Sequence, residues 1–301
     1  MKKTLTIGAA ALNEEANIVN SVQALLKQTG DNFELKEIII ASDGSTDNTV
    51  EVLQEIGNPK IKILNFKERK GQLKRMEDVI AAFDSDYLIF TDADIVFEDE
   101  HVAEKLVRAL EEENVYMACG RAKPLEGQTF VEKAVRNTHL AYEDWAKKFK
   151  EGNNVFNVHG CIQAFRREFI KNVNFPKDVT VADVFCYYSC ISKGHKFKFV
   201  KDAAALIRVS STIQDQIKQA SRYMSTSSNV DRFFNNELIS NELSVPSKLK
   251  YISFLKLFLR APLSCLFIFA LNRYIAITIR KKKKSAPLWE LSSSTKRGLV
   301  Q

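Results

Sequence analysis

The sequence predicts an α/β protein built around a mostly parallel central sheet. Short apolar runs rich in Ile, Leu and Val alternate with longer segments of helical periodicity, which is the pattern of repeated β-α units. A length of 301 residues, of which 45% are apolar, is enough for one large α/β domain or two small ones. Ligands of such sheets bind at the carboxyl ends of the strands.

Four strand–helix pairs are predicted in order along the first part of the chain. The predicted strands are 4–10, 37–41, 61–64 and 86–91, and the predicted helices are 15–27, 48–56, 72–83 and 100–112. After residue 115 the rhythm changes, with helical stretches predicted near 129–150, 183–192 and 212–234 and a Gly-containing segment at 158–165. Because the loop after each of the four strands carries polar side chains, we expect these loops to converge on one site.

Charge is distributed unevenly along the chain. The net charge is +7, yet residues 248–301 hold twelve of the 44 Lys and Arg residues and one of the 37 acidic residues. The slightly acidic remainder would repel a phosphate backbone and carries no zinc-finger or RNA-binding signature, so we expect no nucleic acid partner.

Five cysteines without a C-x-x-C pair fit a reducing, cytosolic setting. The N-terminal apolar run lacks a signal-peptide cleavage pattern and is interpreted as the first strand.

The first two loops carry residues that could bind a nucleotide. The first loop contains Asn13 and Glu15, and the second contains Asp43 followed by Gly44. A carboxylate at a strand end can accept hydrogen bonds from a nucleobase or a ribose, and glycine allows close approach of the backbone. The same residue types also cap helices and form turns, and that alternative stays open for either loop taken alone.

The fourth strand ends in two carboxylates, Asp92 and Asp94. In an extended segment they point to the same side, because side chains alternate with a period of two. They would repel each other unless a cation or hydroxyl donors shared them. Mg²⁺ or Mn²⁺, with phosphate oxygens completing the shell, suits this pair. A solvated acidic loop, extended by Glu98, Asp99 and Glu100, is the alternative.

A series of motifs occurs in the order found in one enzyme family. They are Asn13-Glu14-Glu15, Ser42-Asp43-Gly44-Ser45-Thr46-Asp47, Lys70-Gly71-Gln72, Thr91-Asp92-Ala93-Asp94, His159-Gly160 through Arg166-Arg167, Val181-Ala182-Asp183 with Gly194-His195, and Gln219-Ala220-Ser221-Arg222-Tyr223. This series, over residues 4 to about 225, resembles the family 2 glycosyltransferases of the GT-A fold. Ser42, Ala182 and Tyr223 depart from the usual Asp, Glu and Trp of that family.

The resemblance implies an inverting glycosyltransferase that uses a nucleotide-diphosphate sugar and Mg²⁺ or Mn²⁺. It implies that Asp183 is the general base and that Asp94 binds the metal. The implied donor-binding residues are Asn13, Glu15, Asp43, Lys70, Asp92, Gln219 and Arg222, and the implied acceptor-side residues are Gly160 and Arg166. The implied acceptor is a hydroxyl of a lipid-linked glycan or a cell-surface polysaccharide precursor.

We accordingly divide the chain into four parts. Residues 1–115 are predicted to form the donor-binding half and 116–245 the acceptor-binding and catalytic half of one GT-A domain. Residues 246–284 are predicted to form a membrane-associated helical segment, and 285–301 a flexible tail. The apolar stretch 262–279 has the minimum length for a spanning helix, but basic residues flank both ends. An interfacial helix pair broken near Pro262, on the cytoplasmic face of an anionic membrane, satisfies both ends; a buried C-terminal helix with a basic tail is the alternative.

Two other functions are compatible with an α/β nucleotide fold. A sugar-nucleotide nucleotidyltransferase would be expected to carry a Gly-rich, basic loop after the first strand, whereas that loop here is acidic at Glu14 and Glu15. A non-catalytic, membrane-bound nucleotide-sugar-binding subunit is favoured only by the three departures from the family pattern. Turnover of any donor would distinguish an enzyme from such a subunit.

Overall fold

Strands from both halves of the chain form one mixed sheet. The computed structural model describes residues 2–179, 181–226 and 230–281, without the side chains of 221–226, 231 and 278–281. In these ranges the strands are β1 (Lys3–Ala11), β2 (Phe33–Asp43), β3 (Ile61–Phe66), β4 (Tyr87–Asp92), β5 (Val96–Phe97), β6 (Val115–Pro124), β7 (Ile162–Arg166) and β8 (Lys196–Ile207). They are arranged in the order β3-β2-β1-β4-β7-β6-β8-β5.

The direction of each strand determines which residues reach the working edge of the sheet. β3, β2, β1 and β4 are parallel neighbours, and β6 and β8 run parallel to each other. β7 lies between β4 and β6 and is antiparallel to both. The carboxyl ends of β1, β2, β3, β4, β6 and β8 therefore lie at one edge, where the antiparallel strands β7 and β5 begin.

Helices cover both faces of the sheet and extend beyond it. They are α1 (Ile18–Leu26), α2 (Thr49–Glu55), α3 (Gln72–Ala82), α4 (Val102–Glu111), α5 (Phe130–Ala146), α6 (Arg167–Ile170), α7 (Ala182–Ser192), α8 (Ile213–Thr226), α9 (Asn236–Leu243), α10 (Ser247–Arg260) and α11 (Pro262–Lys281). α1, α2 and α4 share one core cluster with one face of the sheet. α3, α6, α7 and α9 share the cluster on the other face.

The central strands are buried on both faces, which explains their continuous apolar runs. Ile38, Ile39 and Ile40 of β2 are fully buried, with side chains alternating between the two core clusters. The four strands predicted first lie where expected, although β2 begins at Phe33, four residues before the predicted start. β5, β6, β7 and β8 were not predicted as strands.

The C-terminal segment forms two helices that meet at Pro262. Proline has no N–H to donate, so it is tolerated in the first turn of a helix but ends the helix before it. α10 and α11 pack against α5, and α11 also packs against α8, through buried residues that include Leu257 and Ile275. None of the helices in the described ranges combines the length and the apolar content that crossing a membrane requires. The predicted flexible tail, 285–301, lies outside the described residues.

Candidate active site

Carboxylates gather at the edge of the sheet where β4 ends. Asp92 is the last residue of β4, and Asp94 follows in the turn before β5. The hydroxyl of Thr91 donates a 2.8 Å hydrogen bond to the carbonyl of Cys161, which joins the end of β4 to the loop that begins β7. That loop contains Gly160, so the metal and acceptor motifs predicted from the sequence are adjacent in space.

Asp92 lies in a strongly negative environment. Burial raises its pKa to about 7, and the neighbouring carboxylates of Asp94, Asp183 and Glu14 contribute to the increase. The side-chain amide of Gln72 opposes it by donating a 2.8 Å hydrogen bond to Asp92 Oδ1. A carboxylate held beside three others gains most from a cation, and this electrostatic environment fits a divalent metal ion.

The residues present suit a metal ion that the substrate helps to bind. Within the described ranges, no three His, Cys, Asp or Glu side chains are arranged to hold a metal ion by themselves. Asp92 and Asp94 offer hard oxygen donors, and Mg²⁺ and Mn²⁺ commonly take one or two carboxylates together with substrate phosphates. The two aspartates would therefore hold the ion together with a nucleotide diphosphate.

Asp183 stands at the start of α7, facing the same cleft. Burial raises its pKa above the usual value, and the backbone N–H groups of Val184, Asp183 and Gly160 partly oppose this increase. Its Oδ1 accepts a 2.9 Å hydrogen bond from the N–H of Val184. A Cβ on Gly160 would lie 3.3 Å from Asp183 Oδ2, so glycine leaves room for this carboxylate at the cleft.

Asn13 and Glu15 connect the first loop to the second. Asn13 has a φ of 54°, a conformation that asparagine tolerates better than most residues, and its Oδ1 accepts a 2.8 Å hydrogen bond from the N–H of Thr46. Glu15 Oε2 accepts hydrogen bonds from the N–H and the side-chain amide of Asn48. Both side chains therefore shape the loop that follows β2.

Asp43 is buried beneath the loop before α3. Its carboxylate accepts hydrogen bonds from the N–H groups of Lys70 and Gly71, at 2.7 and 2.8 Å. Arg75 Nε donates a third hydrogen bond of 2.7 Å. Asp43 therefore anchors the Lys70-Gly71 turn, while the side chain of Lys70 extends to the surface near Glu68.

Arg75 is a site residue that the sequence analysis missed. It is 1% exposed, its guanidinium lies 3.8 Å from the centre of the Phe66 ring, and it also pairs with Asp78. A cavity of about 310 Å³ opens beside it, lined by Phe66, Lys67, Glu68, Lys70, Lys74, Arg75 and Asp78. In the sequence, the only local indication of Arg75 is that a cation stands on an otherwise apolar face of the predicted helix, five residues after Lys70.

The last predicted donor motif lies on α8. Gln219 Oε1 accepts a 2.9 Å hydrogen bond from the hydroxyl of Ser210, which joins α8 to the segment after β8. Arg222 belongs to the same helix, but its side chain lies outside the described residues.

The structure does not bring Arg166 to the cleft, and this corrects the expectation that it lies on the acceptor side. In the antiparallel register, Ile162 pairs with Thr91 but Arg166 pairs with Tyr87 at the opposite end of β4. Four residues of strand separate the two ends by ~13 Å. Arg166 instead donates hydrogen bonds to the carbonyls of Leu110 and Glu112 at the C-terminal end of α4.

Comparison with known proteins identifies the family. Residues 6–173 match the family model described as glycosyl transferase family 2. The chain belongs to glycosyltransferase family 2. Two curated relatives are an O-antigen chain rhamnosyltransferase (WbaN) of Salmonella anatum, 25% identical over 188 residues, and a poly-β-1,6-N-acetyl-D-glucosamine synthase of Staphylococcus aureus, 21% identical over 222 residues. These matches cover 60% and 73% of this glycosyltransferase chain, but only 58% and 53% of the relatives, so the chain spans little more than half of their length.

Solved structures show the same fold. The mannosyltransferase PcManGT from Pyrobaculum calidifontis, determined with GDP-Man and Mn²⁺, aligns with a TM-score of 0.62 at 15% identity, covering 95% of this glycosyltransferase and 78% of that chain. Residues 1–349 of TarS from S. aureus, determined with UDP, align with a TM-score of 0.55 at 13% identity, covering 93% and 90%. The expected GT-A type of α/β fold with a mostly parallel sheet is confirmed.

Proposed function

We propose that this family 2 glycosyltransferase moves a sugar from a nucleotide-diphosphate sugar to a hydroxyl acceptor, with inversion at the anomeric carbon. The observation that supports this most directly is the carboxylate cluster at the end of β4. Asp92 and Asp94 lie beside Asp183 in one cleft, and the pKa of Asp92 is raised to about 7. A metal-bound diphosphate would neutralise this cluster and bring the anomeric carbon close to Asp183.

Each residue has a defined task in this mechanism. Asp183 accepts the proton of the acceptor hydroxyl as its oxygen attacks the anomeric carbon, and the bond from that carbon to the phosphate oxygen breaks. A single displacement of this kind inverts the configuration. Asp92 and Asp94 would hold Mg²⁺ or Mn²⁺, which would supply positive charge to stabilise the departing diphosphate. The turn anchored by Asp43 forms one wall of the donor pocket.

The donor side of the proposal has support from the solved relatives, which were determined with GDP-Man and Mn²⁺ and with UDP. These ligands belong to those proteins, and they suggest a nucleotide-sugar donor with a divalent metal here. Neither alternative, a nucleotidyltransferase or a non-catalytic subunit, is favoured by the relatives.

The decisive experiment screens UDP-, GDP- and dTDP-sugars with Mn²⁺ or Mg²⁺ for thermal shift and nucleotide release. One donor should bind and turn over in a metal-dependent manner. Asp94→Ala should abolish metal-dependent binding of that donor without unfolding the protein, whereas Asp99→Ala, in the exposed loop after β5, should not. Metal-independent binding, or equal behaviour of the two variants, would reject the proposal.

We further propose that the acceptor is a lipid-linked glycan or polysaccharide precursor and that the enzyme works at the cytoplasmic face of a membrane. The support is the outer face of α10 and α11, where large apolar side chains are exposed beside cations. Leu259 is 76% exposed, Leu263 70% and Phe269 65%. The cations on the same two helices whose side chains the structure describes are Lys248, Lys250, Lys256, Arg260 and Arg273. Such a surface suits shallow insertion into an anionic leaflet.

A further inference from the structure

A row of polar side chains leads away from Asp183 along α5. His159 adjoins Gly160, and its ring centre lies 6.3 Å from that of His139 on α5. Glu143 lies one turn further along the same face of α5, with its Oε1 2.7 Å from Arg121 Nε. Each of these four side chains is partly exposed, although Val158, Cys161 and Ala122 beside them are buried. The row is therefore accessible to a ligand from the solvent.

The pairing of β6 with β8 is irregular next to Arg121 and brings this residue into the row. Gly120 pairs with Val200, but Arg121 pairs with Ala204, so the partner strand β8 bulges between them. A Cβ on Gly120 would lie 2.4 Å from the carbonyl oxygen of Ala203 and 2.7 Å from Ile162. Only glycine therefore fits beside the bulge. Bulges next to binding sites commonly redirect a side chain, and this one places Arg121 opposite Glu143.

Some buried polar atoms in and beside the row have no hydrogen-bond partner among the described residues. Arg121 Nε already faces Glu143 Oε1, whereas Glu143 Oε2 is a buried atom that forms no hydrogen bond with any residue in the described ranges. The same holds for Oε1 of Gln163, a side chain 2% exposed, whose Nε2 donates to the carbonyl of Gly160. Buried polar atoms are normally satisfied, so the two acceptor oxygens without a partner, Glu143 Oε2 and Gln163 Oε1, suit hydroxyl donors of a polar ligand.

The two histidines are neutral and add further hydrogen-bonding groups to the row. Burial lowers the pKa of His159 to about 3, with His139 contributing, and burial also lowers the pKa of His139. His139 Nε2 lies 2.9 Å from the carbonyl of Ala122. Because a carbonyl only accepts, the neutral ring of His139 carries its proton on Nε2 and presents Nδ1 as an acceptor.

We propose that Arg121, His139, Glu143 and His159 form the subsite that binds the acceptor, and that its ligand is a neutral sugar residue. Hydroxyl groups both donate and accept hydrogen bonds, and a guanidinium–carboxylate pair beside neutral imidazoles offers both. Glu143 balances the charge of Arg121, and Asp183 adds negative charge nearby, so a phosphate would be repelled. The inference rests on the proposed function, since Asp183 must take a proton from a hydroxyl of this sugar.

Saturation-transfer NMR of the full chain with methyl glycosides of glucose, galactose, mannose, rhamnose and N-acetylglucosamine tests the subsite without a donor. At least one glycoside should bind to the wild type. Glu143→Gln and Arg121→Gln should each weaken that binding by about tenfold or more, since each removes a charged hydrogen-bonding partner. The matched control is Glu112→Gln, which alters a Glu–Lys pair with Lys198 at the other edge of the sheet and should not change binding.

Asp94→Ala separates this inference from the proposed function. This variant lacks the metal carboxylate, yet it should bind the glycoside as the wild type does, so a failure to bind donor does not affect the result. The inference is overturned if no glycoside binds, if Glu143→Gln and Arg121→Gln both bind with wild-type affinity, or if inorganic phosphate competes for the site. Thermal unfolding of each variant verifies that the fold is intact. If either Glu143→Gln or Arg121→Gln does not fold, the other variant still tests the inference.

Discussion

Gln72 donates a 2.8 Å hydrogen bond from Nε2 to Oδ1 of Asp92. Gln72 is the first residue of α3 and follows Gly71 directly, and the N–H of Gly71 is bound by the carboxylate of Asp43. A chain of contacts therefore runs from the second loop, through the turn before α3, to the proposed metal carboxylate. This chain would couple the proposed donor pocket to the proposed metal site.

Replacing Gln72 with leucine should weaken metal-dependent donor binding. The hydrogen bond opposes the increase in the pKa of Asp92, so its loss would favour the protonated form, which binds a cation poorly. A hydrogen bond to a charged group contributes about 1.5–3 kcal/mol, so the apparent Mn²⁺ affinity should fall roughly ten- to hundredfold at neutral pH. Calorimetric titration of Mn²⁺ in the presence of the donor measures the change.

The matched control for that titration is Gln54→Leu, on the exposed side of α2, which should keep wild-type affinity. The loss in Gln72→Leu should shrink as the pH rises above 7, because Asp92 ionises there even without its partner. A loss that does not change with pH would attribute the effect to the shape of the turn instead of the charge of Asp92.

Asp183→Asn should lower kcat by roughly 10²–10⁴ with little change in donor affinity, because the amide keeps the size but cannot accept the proton. Since the pKa of Asp183 is raised by burial, its basic form appears only at a higher pH than for an ordinary aspartate. Wild-type kcat, measured at saturating Mn²⁺, should therefore rise with pH through that raised pKa and level off above it. Asp178→Asn, an exposed carboxylate paired with Arg232, is the control. Near-normal turnover by Asp183→Asn would place the base elsewhere.

Asp144 on α5 contacts α10 and should make the free energy of unfolding depend on pH in the acidic range. Burial alone would raise its pKa, but Lys148, Ser253 and Lys256 outweigh this effect and lower it to about 2. A carboxyl group whose pKa is depressed on folding stabilises the protein above its unfolded pKa of about 3.8, and this contribution is lost as the pH falls towards 2. Because the side chain is 26% exposed, solvent screening leaves roughly 1 kcal/mol.

Asp144→Asn should therefore lower the free energy of unfolding by roughly 1 kcal/mol at pH 7, and by much less near pH 2. Urea titrations at the two pH values measure the difference, with Asp178→Asn as the exposed-pair control. An equal loss at both pH values would mean that the amide disturbs packing and that the charge of Asp144 contributes nothing.

The first half of the fold could be predicted from the sequence because its signals are local. A buried parallel strand is a continuous apolar run, and Ile38, Ile39 and Ile40 make such a run in β2. β6 and β8 were missed because they mix buried and exposed positions and pair across more than 70 intervening residues. Nothing within either segment shows the partner strand.

The candidate site could be predicted only in part for the same reason. Asp92, Asp94 and Asp183 lie close together, as the family resemblance implied. Gly160 and Arg166 are six residues apart in sequence, but the antiparallel direction of β7 sends Arg166 to the opposite edge. The contribution of Arg75 and His139 depends on what packs against them, which the sequence does not display.

Membrane attachment through the C-terminal helices is better tested by substitution than by deletion. Deleting them would uncover α5, because Leu257, Ile268 and Ile275 are buried in that contact. A soluble but damaged protein would then be mistaken for a released one. Substituting only exposed apolar residues leaves the contact with α5 intact and changes only the surface offered to lipid.

The triple variant Leu259→Gln, Leu263→Gln and Leu266→Gln should bind anionic vesicles much more weakly than the wild type. These side chains are 76%, 70% and 57% exposed, and burying one leucine in an apolar medium contributes about 1.5–3 kcal/mol. Shallow insertion of three should still change the vesicle partition at least tenfold, as measured by sedimentation with phosphatidylglycerol vesicles. The control is Leu243→Gln, on α9 and 50% exposed, which should sediment as the wild type does. A wild type that stays in the supernatant, or a triple variant that sediments with it, would show that this face does not attach to membranes.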